Sequence, residues 1–290
     1  MSWLYKIMAA FYALFSTLGI NLAGGENYET FKVEYGPKSA EIMDIFVPAS
    51  AYSRDYNGVI LYVHGGSWIK GTRNERPKEI RKLAGEGYIG AAMDYTVYTS
   101  SNGANAFTMI DEIDMAIQKL KEFSEEKGLN IDRIALAGYS AGAHLSMLYA
   151  YTRAETCPLP LVFLSERVGP SDFHADSWGS SGPLLASMLA GQPITEEMLA
   201  DGSAEEIIRS VSPACLITEN SVPTLAGYGG ADLVVSEGNA KSTKAALEAS
   251  GIDSYFVMYP NSGHTLSFNP DRANEFWMMQ DRFLLKYFGY

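Results

Sequence analysis

The 290-residue chain predicts an α/β fold: a mostly parallel sheet of about eight strands, with helices on both faces and a short cap insertion. Three observations carry this. Short apolar runs alternate with stretches of helical period from residue 26 onward. Several of those runs end in glycine, where a strand would turn into a helix. Hydrophobic residues make up 47% and charged residues 19%, which is enough to fill one large core.

The elements follow in order. Residues 29–35 and 41–47 form a strand pair. GVILYVHGG at 58–66 is a buried strand that ends in glycines. Residues 75–85 read as a helix and 88–95 as a strand. A long helix covers 106–127, with Ile110, Ile113, Ile117 and Leu120 on one face. A strand at 132–138 leads into a helix at 141–153, and 159–170 is the next strand. Strand 223–230, helix 237–250, strand 254–260 and helix 271–287 close the chain. Residues 172–222 break the rhythm. They are rich in Gly, Ser and Pro, with Trp178, Leu184, Leu185, Met188, Leu189 and Met198 scattered among them. That segment is expected to lie over the top of the sheet, partly covering an apolar pocket within a single domain, 26–290.

The net charge of −12 repels phosphate backbones and argues against a nucleic-acid partner. Cys157 and Cys215 are far apart and belong to no C-x-x-C, so they indicate no disulfide framework and no zinc site. One bridge between them, or two plain core positions, remain open. The histidines are scattered and no carboxylates cluster at ligand spacing, so no metal and no cofactor is expected. Asp111, Glu112 and Asp114 read as a solvated helix face. Gly85-Glu86-Gly87-Tyr88-Ile89-Gly90 spells G-x-G-x-x-G. A dinucleotide site needs a strand before it and a helix after it, whereas here the order is reversed.

Residues 1–25 carry an apolar stretch, 3–20, with one charge, Lys6. Three readings compete: a helix that packs on the protein or on a membrane surface, a cleaved signal, and an anchor. Trp3, Ile7, Phe11, Leu14, Phe15 and Leu18 follow a helical stripe, which favours the first. The expected location is the cytoplasm, with secretion or membrane contact as the alternatives.

The chemistry sits in four places. Gly138-Tyr139-Ser140-Ala141-Gly142 is a G-x-S-x-G between an apolar strand and an apolar helix. That context is a nucleophile elbow, in which crowding demands glycine on either side of a strained serine. His64-Gly65-Gly66-Ser67-Trp68 follows a strand. Its backbone N–H groups at Gly66 and Ser67, with that of Ala141, can face the oxygen that gains charge in acyl transfer. Serine needs a base, and His64, His144, His174 and His264 are the candidates. His64 belongs to the glycine loop, His144 is fixed on the helix, and His174 lies in the insertion. His264 sits in a late loop and comes last in the chain order Ser, acid, His. The acid should follow a strand between the two, and Asp232 does, after Tyr228-Gly229-Gly230-Ala231. Glu219, Glu237 and Asp253 are the rivals; Glu219 and Asp253 fall at the wrong end of a strand, and Glu237 in the first turn of a helix.

HGGSWIKG (64–71), DRIALAGYSAGAHLS (132–146), VGPSDF (168–173), SPACL (212–216), PTLAGYGGADLVV (223–235) and NSGHTL (261–266) together resemble the α/β-hydrolase superfamily. The similarity is to its esterase/lipase branch with an HGG-x-W oxyanion loop, which includes acetyl- and feruloyl-esterase-like enzymes and kynurenine formamidase. The resemblance implies Ser140 as nucleophile, Asp232 as acid, His264 as base and Gly66, Ser67 and Ala141 as oxyanion donors. Tyr228 and Ser236 stand where such enzymes usually have His and Pro. The expected activity is hydrolysis of small short-chain acyl esters through an acyl-enzyme, with acetylated carbohydrate as one candidate substrate. Amide or formamide hydrolysis on the same residues, or a non-catalytic binding role, are the alternatives.

Overall fold

A computed structural model describes residues 27–75 and 77–290. The apolar stretch 3–20 lies outside them. Eight strands form one sheet in the order β1-β2-β4-β3-β5-β6-β7-β8. They are β1 (Tyr28–Glu34), β2 (Ile42–Pro48), β3 (Asn57–Val63), β4 (Ile89–Met93), β5 (Ile131–Tyr139), β6 (Leu161–Arg167), β7 (Thr224–Gly229) and β8 (Ser254–Tyr259). Strands β3 to β8 run parallel, while β2 pairs antiparallel with β1 and β4 at one edge. The pairing of Val63 with Gly138, Tyr139 with Arg167 and Gly229 with Tyr259 brings the carboxyl ends of β3, β5, β7 and β8 to one edge. Parallel sheets offer ligands a crevice at that edge.

Both faces are covered because the central strands are apolar on both sides. Val59, Leu61 and Val63 of β3 pack against α2 (Ala106–Lys127) and α3 (Ala141–Arg153). The intervening Ile60 and Tyr62 face α1 (Pro77–Gly85) and α9 (Pro270–Phe288). Helix α2 starts on a capping box between Asn105 and Thr108 and stops at Gly128 in the left-handed region, φ 66°. Of Asp111, Glu112 and Asp114, Asp111 lies on a solvated face as expected, Asp114 is half-buried and Glu112 is buried. Glu112 is 2% exposed, accepts from Lys38 Nζ at 2.7 Å and caps the Thr96 N–H at 2.6 Å. Asp114 accepts from the Tyr149 hydroxyl at 2.7 Å, and Asp111 pairs with Arg153 at 2.6 Å. Long-range partners supplied by other elements decide this, and helical spacing does not reveal them.

The G-x-G-x-x-G letters are used structurally. Gly85 ends α1, Gly87 makes the turn, and Gly90 lies in β4 where a Cβ would stand 2.6 Å from Ile80 Cγ2. Between β6 and β7 the chain folds as α4 (Ala175–Trp178), α5 (Ser181–Ala190), α6 (Glu196–Asp201), α7 (Glu205–Ser210) and a 3-10 turn, Pro213–Leu216. Strand β6 ends at Arg167, three residues earlier than its apolar run suggests, because Val168 takes a positive φ of 48°. Helix α8 (Glu237–Ser250) joins β7 to β8. Both cysteines are free thiols. Among the described residues no helix is long and apolar enough to cross a membrane.

Candidate active site

Strand β5 delivers Ser140 to the carboxyl edge of the sheet with φ 54° and ψ −123°, a strained conformation for a residue with a Cβ. The turn is held by the Ser140 N–H donating to Arg167 O at 2.9 Å and by the His144 N–H donating to Ser140 O at 3.0 Å. The two flanking glycines are required by space. A Cβ on Gly138 would lie 2.5 Å from Gly142 O, and one on Gly142 would overlap the carbonyl oxygens of Val63 and His64. Ser140 is 8% exposed.

The loop after β8 brings His264 to this serine, with Nε2 2.9 Å from Ser140 Oγ. The other ring nitrogen, Nδ1, lies 2.8 Å from Asp232 Oδ2. A carboxylate only accepts, so Nδ1 carries the proton and Nε2 is left to accept from the serine hydroxyl. The Asp232 side chain is 2% exposed, and its second oxygen accepts the N–H groups of Val234 and Val235 at 2.8 and 3.0 Å. The acid and base loops are tied together as well. Gly230 N–H donates to Tyr259 O at 2.8 Å, and Ala231 N–H to Ser262 O at 3.0 Å.

The glycine loop lies against the serine. A Cβ on Gly65 would come within 3.3 Å of Ser140 Cβ. Gly66, Ser67 and Trp68 all have positive φ, 111°, 54° and 61°. No hydrogen bond between described residues engages the N–H of Gly66 or Ser67, and Ala141 opens α3, where N–H groups have no partner within the helix. These three donors are therefore available to a ligand oxygen. Arg73 braces the loop from outside, with its N–H 2.5 Å from Asp94 Oδ1 and its guanidinium 2.5 Å from Asp94 Oδ2.

The other histidines do different work. His64 is buried, its Nδ1 donates to Gly65 O at 2.7 Å, and its ring stacks on Tyr95. Desolvation holds it below the usual histidine range. His144 is fully buried. It accepts from Trp68 Nε1 at 3.1 Å and donates through Nε2 to Val211 O at 2.9 Å. Burial pushes it down to about 4, so it is neutral at pH 7. It links the glycine loop, the elbow helix and the end of the insertion. His174 sits in the insertion between Asp172 and Glu205.

Sequence reasoning missed Tyr139. Its hydroxyl donates to the backbone carbonyl of His264, and its ring meets the His264 ring edge-on, centroids 5.7 Å apart. The residue before the serine thus grips the loop that carries the imidazole. Tyr139 occupies the open position of G-x-S-x-G, so the letter was visible and its direction was not. Tyr228 and Ser236 have structural partners. The Tyr228 hydroxyl donates to Gly169 O at 2.7 Å, and Ser236 Oγ donates to Ser177 O.

The model of the BD-FAE family matches residues 43–247, which span the elbow, the glycine loop and Asp232. The chain belongs to the BD-FAE family. It is 25% identical over 248 residues to esterase LipC of Mycobacterium tuberculosis, covering 80% of this chain and 59% of LipC. The chain therefore spans about three-fifths of that relative's length. A truncated carbohydrate esterase from gut microbiota superposes with a TM-score of 0.70 at 18% identity, covering 89% of this chain and 95% of that one. Est2, an esterase of the planctomycete Thermogutta terrifontis, superposes at 0.68 and 18% identity, covering 91% and 92%. These likenesses make the fold that of an α/β-hydrolase.

Proposed function

We propose that this BD-FAE protein is a serine-dependent carboxylic ester hydrolase that acts on small, short-chain acyl esters through an acyl-enzyme, with Ser140 as nucleophile, His264 as base and Asp232 as its orienting acid. The observation that carries this is the unbroken chain from Ser140 Oγ to His264 Nε2 at 2.9 Å and from His264 Nδ1 to Asp232 Oδ2 at 2.8 Å.

The reaction follows from those contacts. His264 takes the Ser140 proton as Oγ attacks the ester carbonyl, and Asp232 stabilises the imidazolium without taking the proton. Charge then builds on the carbonyl oxygen, where the N–H groups of Gly66, Ser67 and Ala141 receive it. One such donor is typically worth about 3 kcal/mol in the transition state. His264 returns the proton to the departing alkoxide and an acyl-Ser140 remains. Water, activated by the same imidazole, releases the acid and restores the hydroxyl. The names of LipC, Est2 and the gut carbohydrate esterase support an ester as substrate, and the last of them supports acyl groups carried on carbohydrate.

Replacing Ser140 by Ala tests this directly. Hydrolysis of p-nitrophenyl acetate is expected to fall by at least about 10⁴-fold in folded protein. Activity that survives in clean Ser140→Ala protein would overturn the assignment. A panel of p-nitrophenyl esters from two to twelve carbons, with acetylated xylan and matched amides, ranks the substrates. Faster turnover of the amides would move the reading to amide hydrolysis.

A further inference from the structure

The two ends of the insertion meet at a cluster that takes no part in the reaction above. Asp172 and His174 stand where the chain leaves the sheet after β6, and Cys215 stands in the 3-10 turn Pro213–Leu216 that leads back toward β7. One oxygen of Asp172, one ring nitrogen of His174 and the Cys215 sulfur all lie within 4.8 Å of one another. We propose that Asp172, His174 and Cys215 form a binding site for a divalent cation of the zinc class, which closes the neck of the insertion.

The donor set selects the ion. A thiolate with an imidazole suits zinc or cobalt(II), and it disfavours magnesium or calcium, which prefer oxygen alone. Three protein ligands leave a fourth position open to water. The surrounding groups also hold the ligands in place. Asp172 Oδ1 lies 2.6 Å from His174 Nδ1 and Oδ2 accepts the hydroxyls of Ser177 and Ser242, each at 2.6 Å, so the carboxylate is fixed with one oxygen toward the imidazole. His174 Nε2 lies 3.1 Å from Glu205 Oε2. A carboxylate on the far ring nitrogen orients a metal-bound histidine and makes its ligand atom more basic. Asp172 Oδ1 and His174 Nδ1 are hydrogen-bonded to each other, and the cation would replace that bond.

The cluster is partly exposed to solvent. The Glu205 side chain is 63% exposed and the His174 side chain 28%, while Asp172 is 8% exposed. The ligands span residues 172 to 215, so their spacing resembles no sequence motif for zinc. That is why the sequence reading indicates no metal.

Cobalt(II) titration of the purified full chain under a non-thiol reductant tests the site. One cobalt per chain is expected, with a near-ultraviolet thiolate-to-cobalt charge-transfer band, intense four-coordinate d–d bands, and displacement by zinc. Cys215→Ser should remove the charge-transfer band, whereas Cys157→Ser, the other cysteine, should leave it unchanged. His174→Ala should weaken binding at least about tenfold. Zinc should raise the melting temperature of the wild type and of Ser140→Ala alike, and leave that of Cys215→Ser unchanged. Circular dichroism confirms that each variant is folded. The proposal is overturned if no charge-transfer band forms, if the band persists in Cys215→Ser, or if folded His174→Ala binds cobalt as well as the wild type. Because the readout is spectroscopic, its outcome is independent of whether Ser140 hydrolyses esters.

Discussion

At the scale of single residues, the site depends on one imidazole being held at the right place and angle. Asp232 fixes the ring from one side, and Tyr139 fixes the backbone behind it. Tyr139→Phe deletes a single hydroxyl and keeps the ring that packs beside the Arg167 guanidinium, 5.4 Å away. Loss of one hydrogen bond of this kind is worth about 1 kcal/mol, so kcat is expected to fall about five- to tenfold. KM should stay within about twofold, since no binding contact is removed. Steady-state kinetics check the split. An equal loss in KM would show that Tyr139 shapes the pocket and does not position the base. The residues brought together here were legible from type and chain order. Ser140 announces itself by its glycines, Asp232 by a strand and glycine turn before it, and His264 by elimination among four histidines. Tyr139, the Trp68–His144 bond and the Arg73–Asp94 brace were not legible, because a side chain's direction depends on elements distant in sequence.

At the scale of elements, the elbow is a packing problem. Strand β5 must turn into α3 within one residue, beneath the end of β3. Gly142 sits where any side chain meets the carbonyls of Val63 and His64, which are backbone atoms and cannot rotate away. Gly142→Ala is expected to destabilise the fold by more than about 2 kcal/mol, in the range of overpacked core substitutions. It should also push the glycine loop away from Ser140. Denaturant melts together with esterase kinetics measure both effects. A variant as stable and active as the wild type would show that the elbow has more room than its geometry allows. The helices and central strands were readable from periodicity, and α2, α3 and α8 have the bounds that the pattern gave. Strand ends were less readable, as Val168 shows: its apolar side chain continues the strand pattern while its backbone has already turned. The insertion was visible only as a break in rhythm, since short helices such as α6 and α7 contain too few turns to show a period.

At the scale of the whole molecule, two buried groups set opposing pH dependences. His144 is neutral when folded and is held down at about 4. Unfolding raises it to about 6.5, so the unfolded chain binds more protons between those values. Stability should therefore fall as pH drops from about 6.5 toward 4, by up to about 1 kcal/mol per unit. Glu166 on β6 behaves in the opposite sense. It is fully buried, and desolvation pushes it up to about 8. One of its oxygens accepts the Gly169 N–H at 3.1 Å, and the other has no partner among the described residues. Here the folded chain holds the extra proton, so stability should fall as pH rises from about 4.5 to 8. The two slopes oppose each other below about 6.5, and only the Glu166 loss continues above it. Urea melts from pH 4 to 8 should show Glu166→Gln flattening the loss above pH 6.5. His144→Gln, which can keep both hydrogen bonds, should flatten the acid limb. Unchanged profiles in both variants would contradict the burial that the fold imposes on them.

The central claim is that Ser140 is a nucleophile activated by His264. Stoichiometric labelling with a fluorophosphonate, followed by peptide mass spectrometry, reads it most directly. One adduct per chain is expected, on Ser140, with labelling slowed at least about 10³-fold in His264→Ala. An unlabelled protein, an adduct on another residue, or labelling at full rate without His264 would contradict it.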